Sequence, residues 1–239
     1  MNNVINETDY PYIDVPYNGK TYRFVHNKND HQSGIYNLAN EVFRDHSYVD
    51  GKCQINIGDV VLDGGAHIGT FTVFALIHGA KLVISVEPNP ITFPILEYNV
   101  KRNMGDRNVV FVNKALWNSI RKRPNRLRFI CDARHSGGSH IQRKYRNNCW
   151  VEGITIDAIE KEFGKIDFIK LDVEGSEREA LAGAIETIKH DTPNLALCLY
   201  HKKDDDVDIP NIVKNFNASY GEMILGPGVY KIGLWGKPE

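Results

Sequence analysis

The stretch "VVLDGGAHIGTFTVFALIHGA", residues 60–80, carries an apolar run into Asp63, crosses a glycine cluster and continues straight into a second apolar run. The first run is short and β-branched, as a buried strand is, and the second is long enough for a helix over 70–78 that Gly79 ends. A strand, a tight glycine turn and a helix form the opening unit of an α/β sheet. The unexpected residue is the acid at the mouth of the turn. Glycine turns of this kind commonly cradle phosphates, which a carboxylate repels. A dinucleotide fingerprint aligned on Gly64 and Gly69 places Ala66 where a second glycine lets the backbone approach a pyrophosphate. The spacing Asp63-x-Gly65-x-x-x-Gly69 is the alternative, and it suits a ligand that carries positive charge and no phosphate.

Downstream of this unit the pattern repeats. "LVISVE" (82–87), "NVVFVN" (108–113), "IDFIKLD" (166–172) and "LALCLY" (195–200) read as buried strands. Between them lie a helix with Phe93, Leu96 and Val100 on one face, and a helix after Ser176 that buries Ala180, Leu181, Ala184, Ile185 and Ile188. A further helix is expected around 208–217. Thr92 is placed to cap the first of these helices, with Pro94 in its first turn, and Ser176 with Glu179 forms a capping-box pattern for the second. "EMILG" and "VYKIGLW" read as a closing antiparallel hairpin. Strands alternating with helices imply a mostly parallel sheet covered on both faces: α/β, doubly wound. Residues 1–50 are polar, with an extended segment "KTYRFVH" and a helix in "IYNLANEVFRD". They read as an N-terminal cap on a main domain of residues 51–239.

The 239 residues suffice for one substantial core, burying roughly 70–75% of the surface the unfolded chain exposes. A formal net charge of −1 argues against gripping nucleic acid, and no Asn/Asp-Pro-Pro-aromatic signature of a base methylase is present. No stretch of ~18 apolar residues spans a membrane. Cys53, Cys131, Cys149 and Cys198 are scattered without a Cys-x-x-Cys pair. They suit a reducing compartment and unpaired thiols, and a cytoplasmic location is expected.

Glu87 ends the second strand, where a carboxylate can accept hydrogen bonds from both hydroxyls of a ribose. With Asp63 beside a cation, this fits S-adenosylmethionine, which joins a sulfonium and an ammonium to a ribose diol. Two readings compete. A nicotinamide-dependent oxidoreductase also places an acid after its second strand, but Ala66 and the lack of a Tyr-x-x-x-Lys pair disfavour it. Alternatively, Gly65 and Gly69 only shape a turn and Asp63 only caps the helix.

The blocks "VLDGGAHIGTFTVFA", "VISVEPNPITFPILEYNVKRN" and "IDFIKLDVEGSEREALAGA", followed by "LALCLYHKKDDDVDIPNIV", resemble the FkbM family of S-adenosylmethionine-dependent methyltransferases over about residues 40–205. The resemblance implies a Rossmann-like methyltransferase fold with a seven-stranded sheet, and methyl transfer to oxygen, typically a hydroxyl of a sugar or a polyketide-type metabolite. It places Asp63, Gly64, Gly65, Ala66, His67, Gly69, Glu87, Pro88, Asn89, Ala115 and Asp172 at the cofactor. His67 departs from the small or amide residue common at that position.

Methyl transfer is an in-line displacement that needs an aligned nucleophile and, for an alkyl hydroxyl, a general base. By resemblance to the "DVEG" block, Asp172 faces the cofactor and Glu174 the acceptor hydroxyl; equally, Glu174 can pair with a lysine or cap the next helix. His201 follows the fifth strand as a possible proton acceptor, or as a surface histidine beside Lys202 and Lys203. Lys170, inside an apolar strand, needs a buried partner. A divalent metal held by Asp172, Glu174 and His201 is conceivable but not expected. The basic stretch Arg121–Arg128 reads as a solvated hairpin or a site for an anionic acceptor, and "HSGGSH", with His135 and His140, as a substrate loop or a simple turn. The expected partner is a small-molecule or glycan acceptor, with no nucleic acid or membrane, for a monomer or homodimer.

Overall fold

A computed structural model describes residues 5–118, 126–130, 148–227 and 231–237. After a short 3-10 turn come β1 (Tyr12–Tyr17), β2 (Lys20–Val25) and α1 (Gln32–Phe43). The main run follows with β3 (Val60–Gly64), α2 (Thr70–Ile77), β4 (Leu82–Val86), α3 (Phe93–Met104), β5 (Val109–Val112) and β6 (Ala115–Leu116). Next are β7 (Arg126–Ile130), β8 (Asn148–Ile154), α4 (Ile156–Phe163), β9 (Phe168–Leu171), α5 (Glu177–Ala182) and α6 (Ile185–His190). The chain closes with β10 (Asn194–Cys198), α7 (Asp205–Phe216), β11 (Ile224–Leu225) and β12 (Ile232–Trp235).

Seven strands form the main sheet in the order β11-β12-β10-β9-β3-β4-β5. The five from β10 to β5 run parallel, and the C-terminal hairpin adds β12 and β11 antiparallel at one edge. Side chains along these strands alternate between two cores, as the pleat dictates. Val61, Val83, Phe168 and Ala196 face α1, α2, α3 and the β1–β2 hairpin. Leu62, Ile84, Ile169, Leu171 and Leu197 face α4 to α7. From β3 the chain winds outward through β4 and β5, then returns to lay β9 and β10 on the other side. The switch point therefore lies between β3 and β9, where such sheets open a ligand crevice beyond their carboxyl ends.

The N-terminal hairpin docks on α3 through two asparagines. Asn99 bonds the Val25 N–H and C=O at 2.9 Å each, and Asn103 bonds those of Arg23. Residues i and i+4 of a helix rise about 6 Å, close to the ~6.8 Å between i and i+2 of a strand, so the amides replace a missing ladder partner. Asn99 Nδ2 also donates to Ile68 O at 2.9 Å, fixing the glycine turn to the same helix.

Several elements differ from expectation. The single helix after Ser176 is two short ones, parted at Gly183, whose C=O accepts from Asp157 N–H at 2.9 Å and where a Cβ would stand 2.2 Å from the Trp117 carbonyl oxygen. Neither Ser176 nor Thr92 makes a side-chain capping bond. Irregular as residues 114–153 read, β6, β8 and β7 make a second, three-stranded sheet. Cys149 on β8 is disulfide-bonded, correcting the expectation of unpaired thiols there, while Cys53 and Cys198 are free and buried. His135, His140 and most of the 121–128 basic stretch lie outside the described residues; Arg126 and Arg128 sit on β7, with Arg128 over the Trp150 ring. Among the described residues no helix is long and apolar enough to cross a membrane.

Candidate active site

At the switch point a cleft of about 630 Å³, open mouth included, is lined by the turn after β3, the end of β4, β6, Phe129 of β7 and the segment after β9. A narrower recess continues from it toward α1 and α2, floored by Lys170 and walled by Tyr48, Ala66, Thr70 and Phe71.

The glycine turn is held from beneath. Gly65 has φ +74°, and a Cβ there would stand 1.8 Å from the Asp172 carbonyl oxygen, so the close approach that demands glycine is to the neighbouring strand. Gly69 takes φ +92° at the start of α2, against Leu96 and Val100 of α3. Lys170 Nζ donates to Gly65 O at 2.9 Å and lies 3.2 Å from Asp63 Oδ1. Asp63 is fully buried; its Oδ2 accepts from Thr72 at 2.7 Å, and it lines neither cavity. Of the two expected ways for Asp63 to act on a cationic ligand, directly or through water, burial closes the direct contact: its charge is met by Lys170, inside the protein. Burial works against the Lys170 ammonium, but Asp63 and Asp172 outweigh it and raise its pKa above the ordinary lysine value.

Glu87 does reach the cleft. Its Oε2 accepts from His67 N–H at 2.9 Å and its Oε1 from Asn89 N–H at 2.8 Å. Burial pushes its carboxyl up to about 7, against those two bonds. His67, at φ +49°, lines both cavities, and burial lowers its pKa to about 4, so it stands there neutral. Pro88 and Ala115 complete this wall. Gly64, Gly69 and Asn89 shape the turn from behind and do not line the cleft.

On the far side three groups converge. Asp172 Oδ2 accepts from Tyr48 OH at 3.0 Å; its Oδ1 lies 3.5 Å from His201 Nε2. Glu174, at φ +53°, brings Oε2 to 3.7 Å from the same nitrogen. Nδ1 of His201 is 2.8 Å from Glu177 Oε1, which also accepts from Val173 N–H at 3.0 Å and, at 3.4 Å, from Gly175 N–H. Burial raises the Glu174 carboxyl to about 7, with Asp172 adding to the effect. Burial opposes the His201 charge, yet Glu177, Asp172 and Glu174 lift its pKa to about 9. For Asp172, Lys170 and His201 overcome burial and hold the carboxyl below its ordinary value. His201 is only 10% exposed, which removes the surface-histidine alternative.

Sequence reasoning missed Tyr48, Glu41 and Glu177. Glu41 on α1 is buried behind Tyr48, its carboxyl pushed up to about 7 by burial and by Asp172. Tyr48 meets Asp172 across 124 residues of chain, and no local pattern announces such a pair. Glu177 was visible in "DVEGSE" but passed over for the capping pattern of Ser176.

The methyltransferase FkbM domain model matches residues 63–223, two-thirds of the chain. The chain belongs to the FkbM methyltransferase domain family. Over 67 residues the chain is 40% identical to the 31-O-demethyl-FK506 methyltransferase FkbM of Streptomyces tacrolimicus, covering 28% of this chain and 26% of that protein. A solved FkbM methyltransferase from Methylobacillus flagellatus superposes with a TM-score of 0.57 at 23% identity, over 76% of this chain and 44% of that one. A methyltransferase from Aquifex aeolicus, described as dependent on S-adenosylmethionine, gives 0.48 at 16% identity, over 87% and 98%. The chain thus spans about a quarter of the Streptomyces relative and less than half of the Methylobacillus one. The FkbM family and the Rossmann-like methyltransferase fold expected from the sequence are both present, which sets the methyltransferase reading above the nicotinamide one.

Proposed function

We propose that this FkbM-family chain is an S-adenosylmethionine-dependent O-methyltransferase acting on a hydroxyl of a sugar, a glycan or a small metabolite. The observation that carries the reading is the pairing of Glu87 with the Asp172–Glu174–His201 group on opposite sides of one cleft. Glu87, steadied by two backbone N–H groups, offers carboxylate oxygens to a ribose diol. The wall of Pro88, Ala115 and Phe129 is apolar and suits an adenine ring. The recess over Lys170 suits the amino acid end, with Asp172 the carboxylate nearest a sulfonium or ammonium. O-methylation is also named for the Streptomyces relative, which supports an oxygen acceptor.

In the reaction the acceptor oxygen attacks the sulfonium methyl in line. An O–C bond forms, the C–S bond breaks with its electron pair to sulfur, and the hydroxyl proton passes to a base. Glu174 stands at the cleft beside Asp172 and is the residue for that transfer. His201, held by Glu177, positions both carboxylates. The products are S-adenosylhomocysteine and a methyl ether. The test is mass spectrometry of glycans and metabolites from cells with and without the active chain. A species heavier by one methylene, absent with Glu174→Ala, is the expected result; methylation at nitrogen or carbon, or none, contradicts the oxygen reading.

A further inference from the structure

The three groups beyond β9 have a geometry that hydrogen bonding does not explain. His201 Nε2 stands 3.5 Å from Asp172 Oδ1 and 3.7 Å from Glu174 Oε2, both too long for good hydrogen bonds. Asp172 Oδ1 is buried and, among the described residues, accepts no hydrogen bond. One atom from each of the three residues lies within 4.8 Å of the others. Two ligands each about 2.1 Å from one ion sit roughly 3.0–3.5 Å apart at octahedral to tetrahedral angles. The 3.5 Å separation is at the upper end of that range and the 3.7 Å one just beyond it, and the two carboxylates, within 4.8 Å of each other, would close further around an ion.

The supporting shell points the same way. A ligating histidine gives its other ring N–H to a carboxylate, which fixes the tautomer and aims the free nitrogen at the metal. Glu177 stands in that relation to His201 Nδ1. It is itself buried and pinned by the Val173 and Gly175 N–H groups. Tyr48 holds the far oxygen of Asp172 in the same manner, leaving Oδ1 turned to Nε2. Lys170, whose charge also acts on Asp172, is already engaged with Asp63 and the carbonyls of the glycine turn.

We infer that Asp172 Oδ1, Glu174 Oε2 and His201 Nε2 bind one divalent cation at the acceptor side of the cleft. On binding, Nε2 releases any proton it holds to solvent, and the remaining coordination positions face the cleft. One imidazole and two carboxylates form a mixed nitrogen–oxygen set suited to manganese-like ions. This deepens the methyltransferase reading and rests on it for the ion's purpose: a hydroxyl coordinated there has its proton loosened, while Glu174 Oε1 is left to accept it. Acceptors able to chelate through two neighbouring oxygens are the favoured class.

The experiment titrates Mn²⁺ into the full chain and follows the free ion by its electron paramagnetic resonance signal, with S-adenosylhomocysteine binding measured calorimetrically on the same samples. The expected result is uptake of one ion per chain, lost in His201→Ala and weakened tenfold or more in Glu174→Gln. Glu177→Gln, which keeps an oxygen for the Val173 and Gly175 N–H groups but removes the charge beside His201 Nδ1, weakens it by ~10–100-fold. Glu174 is partly exposed, so Glu174→Gln keeps the fold, as its S-adenosylhomocysteine affinity reports. An undiminished free-ion signal at millimolar protein, or uptake equal in all variants, overturns the metal site and leaves a protonated His201 bridging the carboxylates. If S-adenosylhomocysteine fails to bind the unaltered chain while Mn²⁺ is taken up, the cofactor reading falls and the ion site stands.

Discussion

Two carboxylates end adjacent strands of one sheet, and they have opposite fates. Asp63, at the end of β3, is sealed from solvent and matched by Lys170 and Thr72. Asp172, just past β9, shares the same lysine but also has Glu174 and Glu41 acting against it, with His201 as a second cation beside it. The β3 side is a scaffold whose charge is locally balanced. The β9 side concentrates negative charge around one imidazole and opens it to a cleft. Burial penalises unbalanced charge heavily, so a fold tolerates the second arrangement where something bound there compensates it. Motifs at strand ends therefore carry different meanings according to what stands beneath them.

The contrast is broken most severely at the lysine both sides share. Lys170→Met takes from Asp63 and Asp172 the buried cation they share, and is expected to cost about 3–5 kcal/mol in denaturant unfolding, with an unchanged slope. A loss below 1 kcal/mol would mean the two acids do not depend on it. Next come the two turns. Gly65→Ala drives a methyl against the rigid Asp172 carbonyl at a left-handed φ, at a cost of about 3 kcal/mol or more. Gly175→Ala has a similar φ of +87° but meets side-chain atoms of Lys202 and His201 at ordinary contact distance, 3.4 Å and beyond, so about 1 kcal/mol suffices. Equal costs would show that the β3 turn is no tighter than the β9 one.

Smaller again is Tyr48→Phe, which takes the one phenol hydrogen bond from Asp172 and is expected to destabilise by about 1–2 kcal/mol. The gentlest perturbation is pH. Glu87 titrates at about 7 in the free protein, and only its ionised form accepts from two ribose hydroxyls. S-adenosylhomocysteine binding should weaken as pH falls below that value, by up to about tenfold per unit, and level off above it. Glu87→Gln should flatten this dependence; a slope that survives the substitution assigns it to another group.

Much of the scaffold was legible because its signals are local. β3, the glycine turn, β4 and Glu87 lie within one continuous run, and the strand ends carry the acids where the sheet opens. The lone lysine in "IDFIKLD" announced a buried partner, and the structure supplies Asp63. The role of Asp63 itself was misread, since the sequence shows an acid next to a turn but not the cation beneath it. At the break between α5 and α6, Gly183 packs against the carbonyl of Trp117, far away in the chain, a contact no local pattern announces. Tyr48 and Glu41 enter the site only through the docking of the N-terminal segment, a tertiary event without local pattern. Helix α4 was readable from Ile156 and Ile159 with Thr155 as cap, whose side chain accepts from Ala158 N–H; its short length hid it between two strands.

The account depends on Glu87 greeting a ribose in a pocket without a phosphate cradle. Calorimetric titration of the chain with S-adenosylhomocysteine and, separately, with NAD⁺ tests this directly, with Glu87→Ala as the control. Saturable binding of S-adenosylhomocysteine, lost in that variant, with no heat from NAD⁺, is the predicted result. Binding of NAD⁺ in preference, or S-adenosylhomocysteine binding indifferent to Glu87, would contradict it.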